Sequence, residues 1–294
     1  MSCELCNAAT GAGIEGPDVR PTPQANGQGR DDVLFRKAGY DIVRCRTCGL
    51  VRTAVPRGFA ADAIYTEDYF QGRRPDGYFD YLSSETFLAE EYASRLDFVR
   101  SYVSTGRLLE VGCATGGFLA HARRHFSVQG VDVSNFAVQA AQAKGLEVEC
   151  NSIEASTITK PPYDVVVMFD TVEHLPHPGE ALARIHSLLS TRGYVFITTG
   201  DIGSAMARGL GKRWRLMTPP QHLWFFDRRT IGALLEAVGL RVSDVRYLWR
   251  RVPLSLAWYQ VVRGKMGPLP FGLGNIVLPV NFHDTMTIVA GKRR

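Results

Sequence analysis

Arg107–Ala120 reads RLLEVGCATGGFLA. Leu108, Leu109, Glu110 and Val111 predict a short buried strand that ends on an acid. The run Gly112-Cys113-Ala114-Thr115-Gly116-Gly117 predicts a tight turn, and a helix is expected to begin at about Phe118. Strand, glycine turn and helix together form the opening unit of an α/β nucleotide-binding fold. The glycines matter because a side chain there would block close approach of the backbone to a ligand.

Downstream, strand and helix signals alternate, which predicts a mostly parallel sheet covered by helices on both faces. Strands are expected at Ser127–Val131, Leu146–Cys150, Tyr163–Phe169, Gly193–Thr199, Leu240–Leu248 and Thr285–Ala290. Helices are expected at Asn135–Lys144, Pro178–Leu189 and Thr230–Val238, the last ended by Gly239. Upstream, Tyr81, Phe87, Leu88, Tyr92, Leu96 and Val99 recur at helical spacing. They predict a helix over Phe79–Val103, which could lie across the cofactor cleft as a cover. Asp132 closes the second strand about twenty residues beyond the glycine turn, where an acid that accepts ribose hydroxyl protons is expected.

An acid followed by a glycine turn, rather than G-x-G-x-x-G, resembles the first motif of class I S-adenosylmethionine-dependent methyltransferases, with Ala114 in place of the middle glycine. The D-x-x-E-H-L run at Asp170–Leu175 resembles small-molecule O-methyltransferases and related sugar methyltransferases. The resemblance implies a Rossmann-like α/β core, a seven-stranded mostly parallel sheet with its last strand antiparallel. It implies S-adenosylmethionine as cofactor, held by Glu110, Gly112, Cys113, Ala114, Gly116, Asp132, Val133, Ile153, Phe169 and Asp170. A NAD-dependent oxidoreductase is the alternative reading of the glycine turn.

The N-terminal region carries Cys3-x-x-Cys6 and Cys45-x-x-Cys48-Gly49. Two such pairs supply four thiolates in a tetrahedron, the geometry of structural zinc, with no open position for catalysis. Tyr40–Arg44 predicts a strand feeding the second knuckle, and Gly11–Asp32 reads as a loose Gly- and Pro-rich loop. The expected organisation is a zinc-ribbon-like accessory module over 1–75 and a methyltransferase domain over 76–294, with late insertions at 200–227 and 252–280. A module of this kind ahead of such a core resembles bacterial methyltransferases that act on sugars or other natural products.

The chain has 294 residues, 45% of them apolar, and a net charge of +5. The basic residues are scattered, apart from a cluster at Arg208, Lys212, Arg213 and Arg215, so nucleic acid is not an expected partner. A zinc protein that binds or modifies RNA is nonetheless a rival reading, weakened by the absence of an N-P-P-Y-like run after the fourth core strand. The start, MSCELCNAAT, lacks a secretory pattern, and no run of about 18 apolar residues predicts a membrane span. Six cysteines without such a pattern point to a reducing compartment, the cytoplasm.

Methyl transfer to a hydroxyl needs alignment and a base. His174, beside Glu173 that could orient its ring or accept a hydrogen bond from the substrate, and His222 are the candidate bases, because histidine titrates near neutrality. Asp170, Glu173 and His174 as ligands of a catalytic cation are a rival. Tyr69, Arg213 and Trp224 are candidate acceptor contacts, with the basic cluster suited to a phosphate on a nucleotide sugar or lipid-linked glycan. The expected acceptor is a hydroxyl on a sugar or another natural product, with C-methylation of a keto-sugar as the alternative. Leu254, Leu256, Trp258 and Tyr259 beside Arg263 and Lys265 suggest a lid, a dimer contact or a peripheral membrane contact. Monomer and homodimer are both open.

Overall fold

The computed structural model describes residues 3–9, 31–56, 58–71, 73, 81–158, 162–253 and 277–293. The loop expected over Gly11–Asp32 lies almost wholly outside the described residues. So do Leu254, Leu256, Trp258, Tyr259, Arg263 and Lys265 of the late insertion.

In chain order the elements begin with α1 (Glu4–Ala9), β1 (Asp31–Lys37), β2 (Tyr40–Cys45), β3 (Val51–Ala54), α2 (Glu67–Phe70) and α3 (Tyr81–Arg100). The central units are β4 (Gly106–Val111), α4 (Gly117–Ala122), β5 (Phe126–Asp132), α5 (Asn135–Ala143), β6 (Val148–Cys150), β7 (Tyr163–Phe169), α6 (Pro178–Leu188) and β8 (Leu189–Gly200). The chain ends with α7 (Ala205–Leu210), β9 (Trp224–Phe225), α8 (Arg228–Ala237), β10 (Leu240–Arg246), β11 (Arg250–Pro253), β12 (Val277–Val280) and β13 (Thr285–Lys292).

Seven strands form the central sheet in the order β10-β13-β8-β7-β4-β5-β6. β4 pairs parallel with β5 and β7, β5 with β6, and β7 with β8; β13 runs antiparallel between β8 and β10. This is the Rossmann-like sheet that the resemblance implies, with the expected antiparallel last strand. Alternate residues of one strand face opposite layers. Leu108 faces a core with Tyr92, Leu96 and Val99 of α3 and Phe118 and Leu119 of α4. Leu109 faces the other core, with Leu182 and Ile185 of α6 and Leu234 and Leu235 of α8. Truncating either leucine to alanine would cost about 2–5 kcal/mol.

Two expectations change here. The helix expected as a cover over the cleft is packed on a sheet face through Tyr92, Leu96 and Val99, because those residues are apolar on one stripe. Its Arg95, paired with Glu91, reaches Asp170 at the C-terminal edge of β7. The late connection at 200–227 reaches back across the chain: β9 adds a fourth antiparallel strand to the N-terminal sheet, in the order β1-β2-β3-β9. Leu5, Leu50 and Trp224 share one core with Leu109 and α8, so the cysteine-bearing segment and the central sheet are packed as one body.

Candidate active site

The glycine turn is shaped by backbone conformation. Gly112 and Gly116 have φ of 72° and 75°, in the left-handed region. A Cβ on Gly112 would lie 2.6 Å from Thr171 side-chain atoms, and one on Gly116 would strike Leu146. Ala114 takes φ 46° despite its side chain, which costs about 1–2 kcal/mol. Asp132 holds it there: Ala114 N–H donates to Oδ2 at 2.8 Å, and Ser134 N–H to Oδ1 at 2.9 Å. Burial pushes the Asp132 pKa up, opposed by the N–H groups of Ser134, Ala114 and Val133. Each carboxylate oxygen keeps a further lone pair for a ligand hydroxyl.

Glu110 is buried at the end of β4, and its Oε2 has no partner among the described residues. Burial drives its pKa well up, with the Arg95 charge opposing. An orphaned buried carboxyl beside a turn that excludes side chains fits a ligand carrying a cation and a ribose. The chemistry of these groups suits S-adenosylmethionine. Val133 is exposed beside Asp132, whereas Ile153 is 2% exposed within the core, where it packs rather than presents a ligand face. The Cys113 side chain is likewise buried, so only its backbone can face the cleft. Phe169 packs edge-on against Phe118 at 4.9 Å, and the Arg95 guanidinium stands 4.8 Å over its ring.

Asp170, with φ 53°, turns the chain at the C-terminal edge of β7. Arg95 binds its carboxylate at 2.7 Å and also pairs with Glu91. Arg250 of β11 lies 3.0 Å from Glu91 and 3.9 Å from Asp170. Burial alone would raise the Asp170 pKa; the Arg95 and Arg250 charges overcome it and hold the group at about 2. Glu91, Arg95 and Arg250 were not among the sequence-derived site residues. Their partners are far apart in sequence, and only the Glu91–Arg95 i,i+4 spacing within one helix gives a local signal.

Three residues on, Glu173, His174 and His222 bring one ligand atom each within 4.8 Å of one another. The His174 and His222 rings meet edge to face at 4.7 Å, and Tyr65 stands against His174 at 5.8 Å. His174 Nδ1 lies 2.9 Å from the Gln221 carbonyl. A carbonyl only accepts, so Nδ1 carries the proton and Nε2 is left as a base. Burial lowers the pKa of both imidazoles, His222 further because His174 lies beside it. Burial raises Glu173 to about 8, reinforced by the Asp170 charge, and its Oε2 has no partner among the described residues. Two neutral imidazoles beside a protonated acid can pass a proton, and the same three side chains also gather as the ligands of a cation would. Asp170, a ligand in the rival metal reading, is instead engaged by arginine.

The expected acceptor contacts are dispersed. Tyr69 is buried, edge-on to Tyr65 at 5.2 Å, near the histidine pair. Arg213 is exposed on a short 3-10 turn. Trp224 is 1% exposed, and its indole N–H donates to the Leu175 carbonyl at 2.8 Å, a packing role in place of an acceptor contact. Arg215 of the basic cluster turns inward onto Asp284 at 2.8 Å.

Cys3, Cys6, Cys45 and Cys48 gather their four sulfurs within 4.8 Å. Cys3 and Cys48 lie 3.3 Å apart, Cys6 and Cys45 3.7 Å. Thiolates about 2.3 Å from a tetrahedral zinc would be about 3.8 Å apart. Burial opposes ionisation of Cys45, but the N–H groups of Cys48 and Thr47 and the neighbouring thiols lower it to about 7. N–H groups aimed at a thiolate suit a metal knuckle.

Residues 84–245, just over half of the chain, match the family model described as a methyltransferase domain. The chain is 33% identical over 161 residues to the ubiquinone biosynthesis O-methyltransferase of Burkholderia orbicola, covering 50% of this chain and 69% of that protein. It is 33% identical over 117 residues to the protein of the same name from Alkalilimnicola ehrlichii, covering 36% of this chain and 47% of that one. The chain thus spans about half to two thirds of the length of these relatives. Among solved structures, an S-adenosylmethionine-dependent methyltransferase from Thermotoga maritima superposes with a TM-score of 0.50 at 18% identity, covering 74% of this chain and 96% of that one. The YcgJ protein of Bacillus subtilis gives 0.51 at 14%, covering 70% and 99%. These two likenesses establish a shared fold.

Proposed function

Because the chain belongs to the methyltransferase-domain family, we propose that it methylates a hydroxyl of a small-molecule acceptor, with S-adenosylmethionine as donor and His174 or His222 as the proton acceptor. The observation that carries this reading is the His174 tautomer: Nδ1 is spent on the Gln221 carbonyl, so Nε2 is a free base beside His222 and Glu173. The bound cofactor would supply a methyl group activated by its sulfonium, with a neutral thioether as leaving group. Asp132 would take the ribose hydroxyls, Glu110 would face the cationic end, and the glycine turn would admit the backbone. Alignment of the acceptor oxygen accounts for roughly 7–11 kcal/mol in favourable cases, and a positioned base for about 10²–10⁴-fold. Glu173, protonated at neutral pH, would donate a hydrogen bond that orients the acceptor or the ring.

The acceptor we propose is a sugar or other natural-product hydroxyl, with a phosphate-bearing nucleotide sugar or lipid-linked glycan as one class. C-methylation of a keto-sugar would use the same base. A phenolic hydroxyl is the second reading, favoured by the Tyr65 and Tyr69 rings beside His174 and by the printed names of the curated relatives. The four-cysteine cluster would hold one structural zinc, within a module over 1–75 that leads into a methyltransferase domain over 76–294.

Calorimetric titration with S-adenosylhomocysteine, with NADH as control, tests the cofactor. Binding of NADH alone would overturn it. Methyl transfer from labelled S-adenosylmethionine to a nucleotide sugar, a keto-sugar and a catechol then tests the acceptor class. His174→Ala and His222→Ala should retain S-adenosylhomocysteine binding and lose turnover; full turnover in both would overturn the base assignment.

A further inference from the structure

His222 is held from outside the central sheet. Its carbonyl accepts the Thr53 hydroxyl at 2.6 Å, and its own N–H donates to the Thr218 carbonyl at 3.1 Å. The next residue continues the grip: Thr53 N–H donates to the Leu223 carbonyl at 2.9 Å, and Leu223 N–H donates to the Glu173 carbonyl at 2.8 Å. Trp224 and Phe225 then pair with Arg52 and Val51. Thr53 therefore bonds two successive carbonyls, one of them that of His222. It is 1% exposed, so solvent does not compete for its hydroxyl in the folded protein.

The same strand leads back to the sulfurs. Cys45 N–H donates to the Leu50 carbonyl at 2.9 Å, and Gly49 N–H to the Cys45 carbonyl at 2.8 Å, so the second knuckle fixes the start of β3. On the other side of His222, the Gln221 carbonyl selects the His174 tautomer. A run of three residues, 221–223, thus sets both rings and the Glu173 backbone, and β3 sets the run.

We propose that Thr53 is a positioning residue for methyl transfer: its hydroxyl, on the His222 carbonyl, fixes both imidazoles, and the cysteine module thereby takes part in the chemical step. The proposal rests on the reading of the histidine pair as the base. A displacement of about 1 Å at a reacting group costs about 100-fold, so a hydrogen bond to the backbone of the base is enough to matter.

The test is Thr53→Val, which keeps the shape and the backbone bond to Leu223 and removes the hydroxyl. Its first readout needs no acceptor. The seven histidine rings are titrated by NMR in the full chain saturated with S-adenosylhomocysteine, with His222→Gln and His174→Gln assigning their signals. In Thr53→Val the His222 midpoint should rise by about half a unit or more, roughly threefold in proton affinity, as the loosened run admits water. The His174 signal should shift with it, the other rings should stay in place, and Thr53→Ser should restore both.

Unchanged His222 and His174 titrations in a folded Thr53→Val would overturn the proposal. If that variant melts below the assay temperature, Thr53→Ala is read by the same criteria. The second readout is turnover with whichever probe acceptor is methylated: a 10–100-fold fall in kcat with unaltered S-adenosylhomocysteine affinity and zinc content, and no further fall when combined with His222→Ala. Turnover untouched in both His222→Ala and His174→Ala would sink the base reading. Turnover lost in His222→Ala but intact in Thr53→Val would sink this inference alone.

Discussion

Asp132→Ala separates two tasks carried by one carboxylate. In the free protein Asp132 accepts N–H groups from Ala114 and Ser134 at 2.8 and 2.9 Å. A buried N–H left without an acceptor costs about 1–3 kcal/mol, so the pair costs about 2–6 kcal/mol. Part of this is offset, because burial makes the ionised carboxylate itself unfavourable, as its raised pKa records. The net loss should sit near the low end, about 2 kcal/mol, which lowers Tm by roughly 4–8 °C for a chain of this size. The second task, in the function proposed above, is to accept the cofactor ribose hydroxyls. Two hydrogen bonds to a charged acceptor contribute about 1.5–3 kcal/mol each, so affinity should fall by roughly 10²–10⁴-fold. The assay is a circular-dichroism melt followed by calorimetry with S-adenosylhomocysteine well below the variant's midpoint. A folded variant that binds with wild-type affinity refutes the ribose assignment. If alanine unfolds the protein, Asp132→Asn keeps one acceptor oxygen and should weaken binding roughly 10–150-fold.

Three further outcomes follow from the geometry. Metal analysis should find one zinc per chain, and a strong chelator or Cys45→Ser should lower Tm; a metal-free protein with an unaltered melt would remove zinc from the cysteine cluster. The pH profile of turnover should be bell-shaped. The acid limb lies below the ordinary histidine value of about 6.5, because burial lowers both imidazoles, which must be neutral to accept a proton. The basic limb lies at about 8, where Glu173 loses its proton; a profile flat from pH 6 to 10 would contradict the Glu173 assignment, and an acid limb above 6.5 would contradict the lowered imidazoles. Arg95→Met leaves Glu91 and Asp170 without the cation between them, and denaturant melts should register a loss of about 3–5 kcal/mol. A loss below about 1 kcal/mol would mean that Arg250 alone satisfies both acids.

The succession of the core strands along the chain was legible because it is written locally, whereas the antiparallel last strand came from the family resemblance. Tyr163–Phe169, YDVVVMF, is an apolar run interrupted by Asp164, preceded by Pro162 and followed by Asp170, and it forms β7 with those limits. The glycine turn and Asp132 were legible for the same reason: their chemistry demands particular residue types at fixed spacing. What escaped was assembled by distance. Arg95 reaches Asp170 from 75 residues away, and Arg250 reaches Glu91 from 159. No periodicity encodes such a meeting. Trp224 misled for a related reason. An indole beside a candidate base suits a binding wall equally well by composition, and only its bond to Leu175 and its pairing with Arg52 reveal a strand.

The pairing of β3 with β9 also sets an order of events during synthesis. Thr53 and the His222 carbonyl are 169 residues apart. At about 5–20 residues per second, the ribosome takes roughly 10–30 s to deliver the second after the first. The four cysteines have all emerged by then, so metal can load before the sheet has its last strand. Through that interval β3 presents an open edge, the kind of surface that recruits stray strands. The histidine pair can take its final form only when that edge closes, so the pair matures late, on a platform built early.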